Sequence, residues 1–426
     1  MALLVPAVVG VLLLTLSPQG TQVGLGLHPL CFACGEAPLA NIVRNVILFM
    51  PMGLLLGRWL GRSVPVLLLA TLLSAGIETA QFFIPGRNPL LIDVMANGAG
   101  GWLGALLGVR LDLLLHPRGT WRRILRWGAS SVAAGLLLFS GWALSVDPPT
   151  EALTLNVAPV GPPDSRPGAD TFPLPDTRVH EALFGGEALS RGPHSDSGDL
   201  ARRIGDLFSG TPGSPRLEVA FTPGVAPRER GQILVRVHSG VDGREAMALS
   251  VSQRDLHLAP PLRASALSLV GPSLRWPDAL EGWMLTDTLT VTALSDGEGA
   301  FCLELEGERR CERLPSIADG WSLLHFPGVP GWGRALLTLL WVAALFGPAA
   351  FWSRNIGEAV RGALPPAAGL LLFPLLFATV GHAPVVAWLG LGVGIAFGQL
   401  VPKPPPRTWP RSDDRGASPT PTAPYH

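Results

Sequence analysis

Eight stretches of this sequence are apolar over about the length that a helix needs to cross a lipid bilayer. That constraint comes before any other. A spanning helix takes roughly 20 mostly apolar residues. The runs are Met1–Leu16, Asn41–Leu60, Val64–Phe83, Leu91–Leu115, Trp127–Val146, Ala335–Trp352, Leu364–Val380 and Pro384–Leu400. Charged residues make up only 15% of the 426-residue chain, against about 25% in an ordinary soluble domain. The net charge is zero, so no bulk field points to nucleic acid as a partner. The first run has no basic leading region and no small-x-small cleavage pattern, which favours a retained helix over a signal peptide.

The basic residues predict a topology, because Lys and Arg concentrate in short cytoplasmic loops. Arg58 and Arg62 follow the second run. Arg110, Arg118, Arg122, Arg123 and Arg126 follow the fourth, Arg354 and Arg361 the sixth, and Lys403, Arg407, Arg411 and Arg415 the last. If the helices alternate, all four groups fall on one side, which is then the cytoplasm. Both termini lie on that side, and residues 147–333 are extracytoplasmic. The chain divides into a five-helix block at 1–146, an outer domain at 147–333 and three further helices at 334–401. A Pro-rich tail at 402–426 is expected to be a disordered cytoplasmic end.

Polar groups within the helices are not scattered. An ionised side chain at a bilayer centre costs about 2.5–3.5 kcal/mol on insertion scales, so such residues pair or serve a site. Asn41, Arg44 and Asn45 are spaced to share one face near the outer end of the second helix. Glu78 and Gln81 are i and i+3 near the outer end of the third, and Asp93 and Asn97 are i and i+4 at the outer start of the fourth. Glu78 lies roughly 9 Å down the axis from Ile84 at 1.5 Å per residue, and Asp93 and Asn97 lie at similar depth. Three helices thus bring polar faces to one layer in the outer leaflet. Gly100, Gly104 and Gly108 repeat at four-residue spacing, the small-xxx-small pattern of tight packing in membranes.

Three motifs within this block resemble the VanZ-like family over about residues 1–115. They are Asn45-Val-Ile-Leu-Phe-Met-Pro51-Met-Gly53, Glu78-Thr-Ala-Gln81-Phe-Phe-Ile-Pro85-Gly86-Arg87 and Asp93-Val-Met-Ala-Asn97-Gly-Ala-Gly100-Gly-Trp-Leu-Gly104. They stand in the family's order. The resemblance implies a multi-pass protein of the bacterial plasma (inner) membrane, within the cell envelope. The family's namesake is associated with glycopeptide resistance, and the resemblance implies no particular enzyme.

The polar layer supports three readings. Arg44 and Arg87 run against the charge rule by lying on the outer side, and a guanidinium fork grips phosphate or carboxylate. In the first reading they hold a membrane lipid or lipid-linked envelope precursor, with Asn41, Asn45, Gln81 and Asn97 as hydrogen-bonding groups beside Glu78 and Asp93. In the second, Glu78 and Asp93 form an acid/base pair of a membrane-embedded transferase or hydrolase. In the third, Arg87 pairs with Asp93 or Glu78, the amides satisfy broken backbone, and the bundle only anchors the outer domain.

The outer domain is loop-rich to about Pro215. Alternating apolar residues then appear: Leu217, Val219 and Phe221; Ile233, Val235 and Val237; Met247, Leu249 and Val251; Leu289 and Val291; Phe301, Leu303 and Leu305. Short strands between Gly, Pro and Asp turns predict a β-sandwich. If Glu306-Gly307 turns a hairpin, Cys302 faces Cys311 with Cα atoms about 4.5 Å apart, within reach of a disulfide. Cys31-x-x-Cys34 is a second disulfide or redox candidate; with no Cys or His cluster nearby, a metal is not expected, nor is a cofactor. The strand order over roughly 180–328 resembles a LamG or concanavalin-like jelly roll, which implies a carbohydrate or protein ligand. The fold expected overall is a mainly α-helical membrane bundle of about eight transmembrane helices with an inserted extracytoplasmic β-sandwich.

Overall fold

A computed structural model of the chain describes residues 3–16, 38–84, 89–157, 177–194, 196–209, 213–223, 232–252, 254–284, 287–297, 299–324, 329–376 and 380–401. The Cys31–Cys34 pair, Arg87 and the 402–426 tail lie outside the described residues.

Helices form in all eight apolar runs. The first six are α1 (Leu4–Leu16), α2 (Pro38–Leu60), α3 (Val64–Gln81), α4 (Leu91–Val109), α5 (Leu111–Leu115) and α6 (Thr120–Ala143). The expected continuous helix over Leu91–Leu115 is broken at Arg110, which leaves helical geometry between α4 and α5. The segment after α6 contributes β1 (Leu153–Val157), β2 (Arg178–Phe184), β3 (Glu187–Ala188), β4 (Gly192–Pro193), α7 (Ser197–Ser209), β5 (Leu217–Thr222), β6 (Gln232–Ser239), β7 (Glu245–Ser252), β8 (Asp255–Ala259), β9 (Leu274–Trp276), β10 (Leu289–Ser295), β11 (Ala300–Leu305) and β12 (Glu308–Arg313). The chain then forms α8 (Gly331–Phe351), α9 (Ile356–Leu376) and α10 (Val385–Leu400). Among the described residues, α2, α3, α4, α6 and α8 are long and apolar enough to cross a membrane, and α1 and α10 are shorter apolar helices.

Small residues set the helix pairs. A Cβ added at Gly104 would sit 2.1 Å from the Met50 carbonyl oxygen, one at Gly108 2.1 Å from that of Leu54, and one at Gly100 2.2 Å from that of Val46. Only glycine lets the α2 and α4 backbones approach this closely. Gly390, Gly394 and Gly398 on α10 pack in the same way against the backbone of Leu339, Ala343 and Gly347 on α8. The α6–α9 pair is held by polar groups. The Ser130 hydroxyl donates to the Gly362 carbonyl at 2.6 Å, and Arg126 pairs with Glu358 at 2.5 Å.

The two ends of the bundle differ. At one end the β-rich region meets the start of α2, where the Ala40 N–H donates to the Ser268 carbonyl. It also meets the end of α6 through a Val146–Leu262 bridge, and the start of α8 through a two-pronged Arg334–Glu312 pair at 2.8 and 3.2 Å. The opposite end gathers arginines. There Arg58 pairs with Asp112 at 3.1 Å, and the Trp352 indole donates to the Leu114 carbonyl at 2.7 Å.

The strands form two six-stranded antiparallel sheets, in the orders β4-β1-β6-β7-β8-β9 and β12-β11-β10-β5-β2-β3. One apolar cluster joins residues of both, among them Leu155, Val235 and Leu249 from the first and Val219, Val291 and Leu303 from the second. The stretch before Pro215 is more ordered than its sequence suggests, for it holds β1 to β4 and α7. A bulge between Val179 and Glu181 interrupts the alternation of β2. Gly198 and Gly205 dilute the helical signal of α7, yet Leu200, Ile204, Leu207 and Phe208 are buried in the shared cluster.

The hairpin of β11 and β12 turns at Glu306 and Gly307, both with positive φ, as a two-residue primed turn requires. Cys302 faces Cys311 and the two form a disulfide, with Cα atoms 4.0 Å apart. Replacing both cysteines with alanine is expected to cost about 2–3 kcal/mol by the chain-entropy account of a short loop. Thermal unfolding of the purified protein with and without reductant checks this. Gly104→Val should cost about 1–3 kcal/mol or more, because the clash is with rigid backbone. The check is a lower melting midpoint in detergent, with Gly76→Val on the open face of α3 as the tolerated control.

Candidate functional site

The close α2–α4 contact places the first turns of the two helices side by side. Asp93 lies in the first turn of α4, where the positive end of the helix dipole favours a carboxylate. The Asn41 amide nitrogen donates to Asp93 Oδ1 at 2.6 Å, and Arg44 donates to Asn41 Oδ1 at 2.9 Å. These two bonds fix which way the Asn41 amide points: nitrogen towards the carboxylate, oxygen towards the guanidinium. Asn45 and Arg44 lie within interaction range of the same carboxylate. All four side chains are half-buried.

The other polar residues turn away from this group and join helices. Glu78 is buried, and its Oε2 accepts the backbone N–H of Leu90 at 3.0 Å, which ties α3 to the residue before α4. The buried Gln81 side chain donates to the Thr15 carbonyl of α1 at 2.9 Å. That carbonyl belongs to the last turn of a helix, where acceptors lack internal partners. Asn97, 2% exposed, donates to the hydroxyl of Ser74 at 2.8 Å. Its own Oδ1 is buried with no hydrogen-bond partner among the described residues.

The expected layer therefore exists as two halves. Asn41, Arg44, Asn45 and Asp93 form a half-buried group between α2 and α4. Glu78, Gln81 and Asn97 form a buried group centred on α3. Ser74 and Thr15 complete the second half and were not singled out in the sequence. Ser74 had a signal, since it stands four residues before Glu78 and shares the face of Glu78 and Gln81. Thr15 contributes a backbone carbonyl, which leaves no trace in sequence.

A second polar surface lies on the first sheet. Ser250, His257 and Arg275 stand in register across β7, β8 and β9, and Asn156, Arg236 and Ala248 across β1, β6 and β7. Arg275 pairs with Asp255 at 2.6 Å and Arg236 with Glu245 at 3.1 Å. Burial holds the His257 imidazole below the usual histidine range; the Asp255 carboxylate opposes this and Arg275 reinforces it. Burial and Arg236 lower His238 in the same way. Among the described residues, no three His, Cys, Asp or Glu side chains converge as a metal site.

Residues 4–114 match the family described as VanZ/LLP1. The match spans α1 to α4 and most of α5, and so contains every residue of the polar layer and none of the two sheets. No curated protein and no solved structure matches the chain.

The two histidines give the β-rich region a pH dependence of defined sign. Both are depressed in the fold, so the unfolded chain binds protons more readily below its own histidine pKa of about 6.5. Their stabilising effect is complete above that value and is lost as pH falls through the folded values. The melting midpoint should fall between about pH 7.5 and pH 5.5. His257→Asn should flatten part of that fall, as read by intrinsic tryptophan fluorescence.

Proposed function

We propose, with the VanZ-like segment as premise, that this membrane protein holds the anionic headgroup of a membrane lipid or lipid-linked envelope precursor at Arg44. The observation that carries the proposal is the chain of bonds from Arg44 through Asn41 to Asp93. Asp93 orients Asn41, and Asn41 takes one donor of the guanidinium. The remaining donors of that planar fork meet no side-chain acceptor among the described residues and suit a phosphate or carboxylate. Glu78, Gln81 and Asn97 support the site by fixing α1, α3 and α4 around it. A catalytic role for Glu78 with Asp93 has less support, because Glu78 is engaged with the Leu90 backbone.

The same proposal sets the orientation. The arginine-rich end faces the cytoplasm, as the charge rule asks, and the polar layer lies in the outer leaflet beneath an extracytoplasmic β-sandwich. A disulfide in the β-rich region suits an oxidising compartment. The open sheet face with Asn156, His257 and Arg275 is where a carbohydrate or protein ligand of that domain would dock.

Arg44→Gln removes the charge and keeps a hydrogen-bonding side chain. Loss of one charge-assisted contact costs about 1.5–3 kcal/mol, so retention of the anionic ligand by protein in nanodiscs should fall roughly 10- to 100-fold. Arg44→Lys should recover part of it. Unchanged retention of anionic lipid and lipid-linked precursors, with an unchanged melting midpoint, would sink the proposal.

A further inference from the structure

A second basic site stands at the opposite end of the bundle, and no residue of the polar layer belongs to it. A cavity of about 560 Å³ opens between the α2–α3 turn and the last turn of α4. Arg62 and Ser63 line it from the turn, and Leu106, Val109 and Arg110 from α4. Gly61 makes the turn possible, with φ at +66° and open space around it.

The arginines at this end differ in what they meet. Arg58 is neutralised by Asp112 and Arg126 by Glu358. Neither Arg62 nor Arg110 has an ion-pair or side-chain hydrogen-bond partner among the described residues, and the two line the same cavity. Ser63 precedes α3 without its side chain capping the helix. Its hydroxyl is thus a third polar group at the cavity, beside the Val64 N–H of the first turn of α3, which favours an anion; Pro65 has no N–H to add. Arg118 and Arg123 are also exposed and lack acidic partners, but they do not line the cavity.

The surroundings argue for an anion carried by a lipid. Trp59, Val64, Leu68, Leu103, Leu107 and Val109 are all exposed next to the cavity or along the same helices. In a membrane protein such a surface is covered by acyl chains, and a tryptophan at its edge marks the headgroup level. Two guanidinium groups above an apolar surface are the chemistry that retains anionic phospholipid headgroups at the basic side of a bundle.

We propose that this cavity binds the phosphate headgroup of an anionic phospholipid, with Arg62 and Arg110 as its cationic contacts and Ser63 as a hydrogen-bond donor. The site is separate from the Arg44 site in position and in residues. Its occupant seals the α2–α3 turn against the end of α4 and so braces the α2–α4 pair from the end opposite the polar layer.

The test uses the full chain in detergent, with phosphatidylglycerol and phosphatidylcholine offered in equal amounts and bound lipid read by native mass spectrometry. Wild type should retain phosphatidylglycerol preferentially. The pair Arg62→Gln with Arg110→Gln should lose that preference by roughly tenfold or more, while Arg118→Gln with Arg123→Gln, an equal change in charge, should keep it. Millimolar inorganic phosphate should leave the bound lipid in place. If the cavity pair fails to fold, Arg110→Gln alone is compared with Arg118→Gln. Equal losses in the cavity and control variants would overturn the proposal, as would displacement by inorganic phosphate or no preference in wild type. In an Arg44→Gln background, which removes the other proposed anion site, the preference should persist and should be lost on adding the cavity pair; its loss on Arg44→Gln alone would overturn the proposal.

Discussion

The backbones of α2 and α4 touch, and the polar layer depends on that contact. A Cβ at Gly53 would lie 2.1 Å from the Gly101 carbonyl oxygen, and one at Gly57 2.5 Å from the Ala105 backbone. With glycine on both helices, the interface needs no long side chains to fill it. Short polar side chains at its upper end can then bridge it directly. Asn41 bonds Asp93 directly, at 2.6 Å. A pair of leucine-faced helices would stand some 8–10 Å apart or more, and the same asparagine would have to share its partner with solvent or lipid. Glycine repeats at 100, 104 and 108 and polar residues at 41, 44 and 93 are thus one design, read at two heights.

The division of the layer into halves follows from satisfaction of buried groups. An unmet polar atom in hydrocarbon is costly, and neighbouring helices are the available partners. Gln81 and Glu78 each meet a backbone group at a helix end, where such groups are orphaned. Asn97 meets Ser74. These bonds hold α1, α3 and α4 together without a ligand. Arg44 differs because Asn41 takes one of its five donors and no other side chain among the described residues accepts the rest. The spare donors sit on one half-buried side chain, which is why the proposed binding centres there and not on the layer as a whole.

Much of this was legible in the sequence, and for physical reasons. A spanning helix must be long and apolar, so each apolar run marked a helical region, and five of those helices among the described residues are long and apolar enough to cross a membrane. Polar residues at i, i+3 and i+4 can only share a face, so the layer was visible before its partners were. Counting outward from Glu306-Gly307 placed Cys302 opposite Cys311 because a hairpin has period two. Other features left weaker traces. The bulge at Val179–Glu181 erased the alternation of β2, and two glycines blurred α7. The pairing of Gln81 with the Thr15 carbonyl involves backbone, which carries no identity. The basic cavity joins residues 61–63 to residues 106–110, a proximity that only the α2–α4 crossing creates.

The β-rich region is attached to the helices by more than two chain crossings, and this bears on what the polar layer can meet. The turn at Ile317–Leu324 enters the top of the bundle, where Gly320 packs so closely on Ser140 of α6 that a Cβ would lie 2.1 Å from its hydroxyl oxygen. Asp319 accepts from the Ser316 N–H and hydroxyl at 2.9 and 2.7 Å, and from the Thr338 hydroxyl of α8 at 2.8 Å. Thr338 in turn accepts the Trp321 indole N–H at 2.9 Å. Every member of this network is tied to a helix or to the turn, so the turn cannot shift without breaking several bonds at once. A neighbouring segment of the same region, at Ser268, accepts the N–H of Ala40, one residue before Asn41. The sheets are therefore fixed over the start of α2, and Arg44 lies one helical turn beneath that contact. A headgroup held by Arg44 would meet the β-rich region above and the α2–α4 contact beside it, so both parts of the chain would shape the ligand that fits.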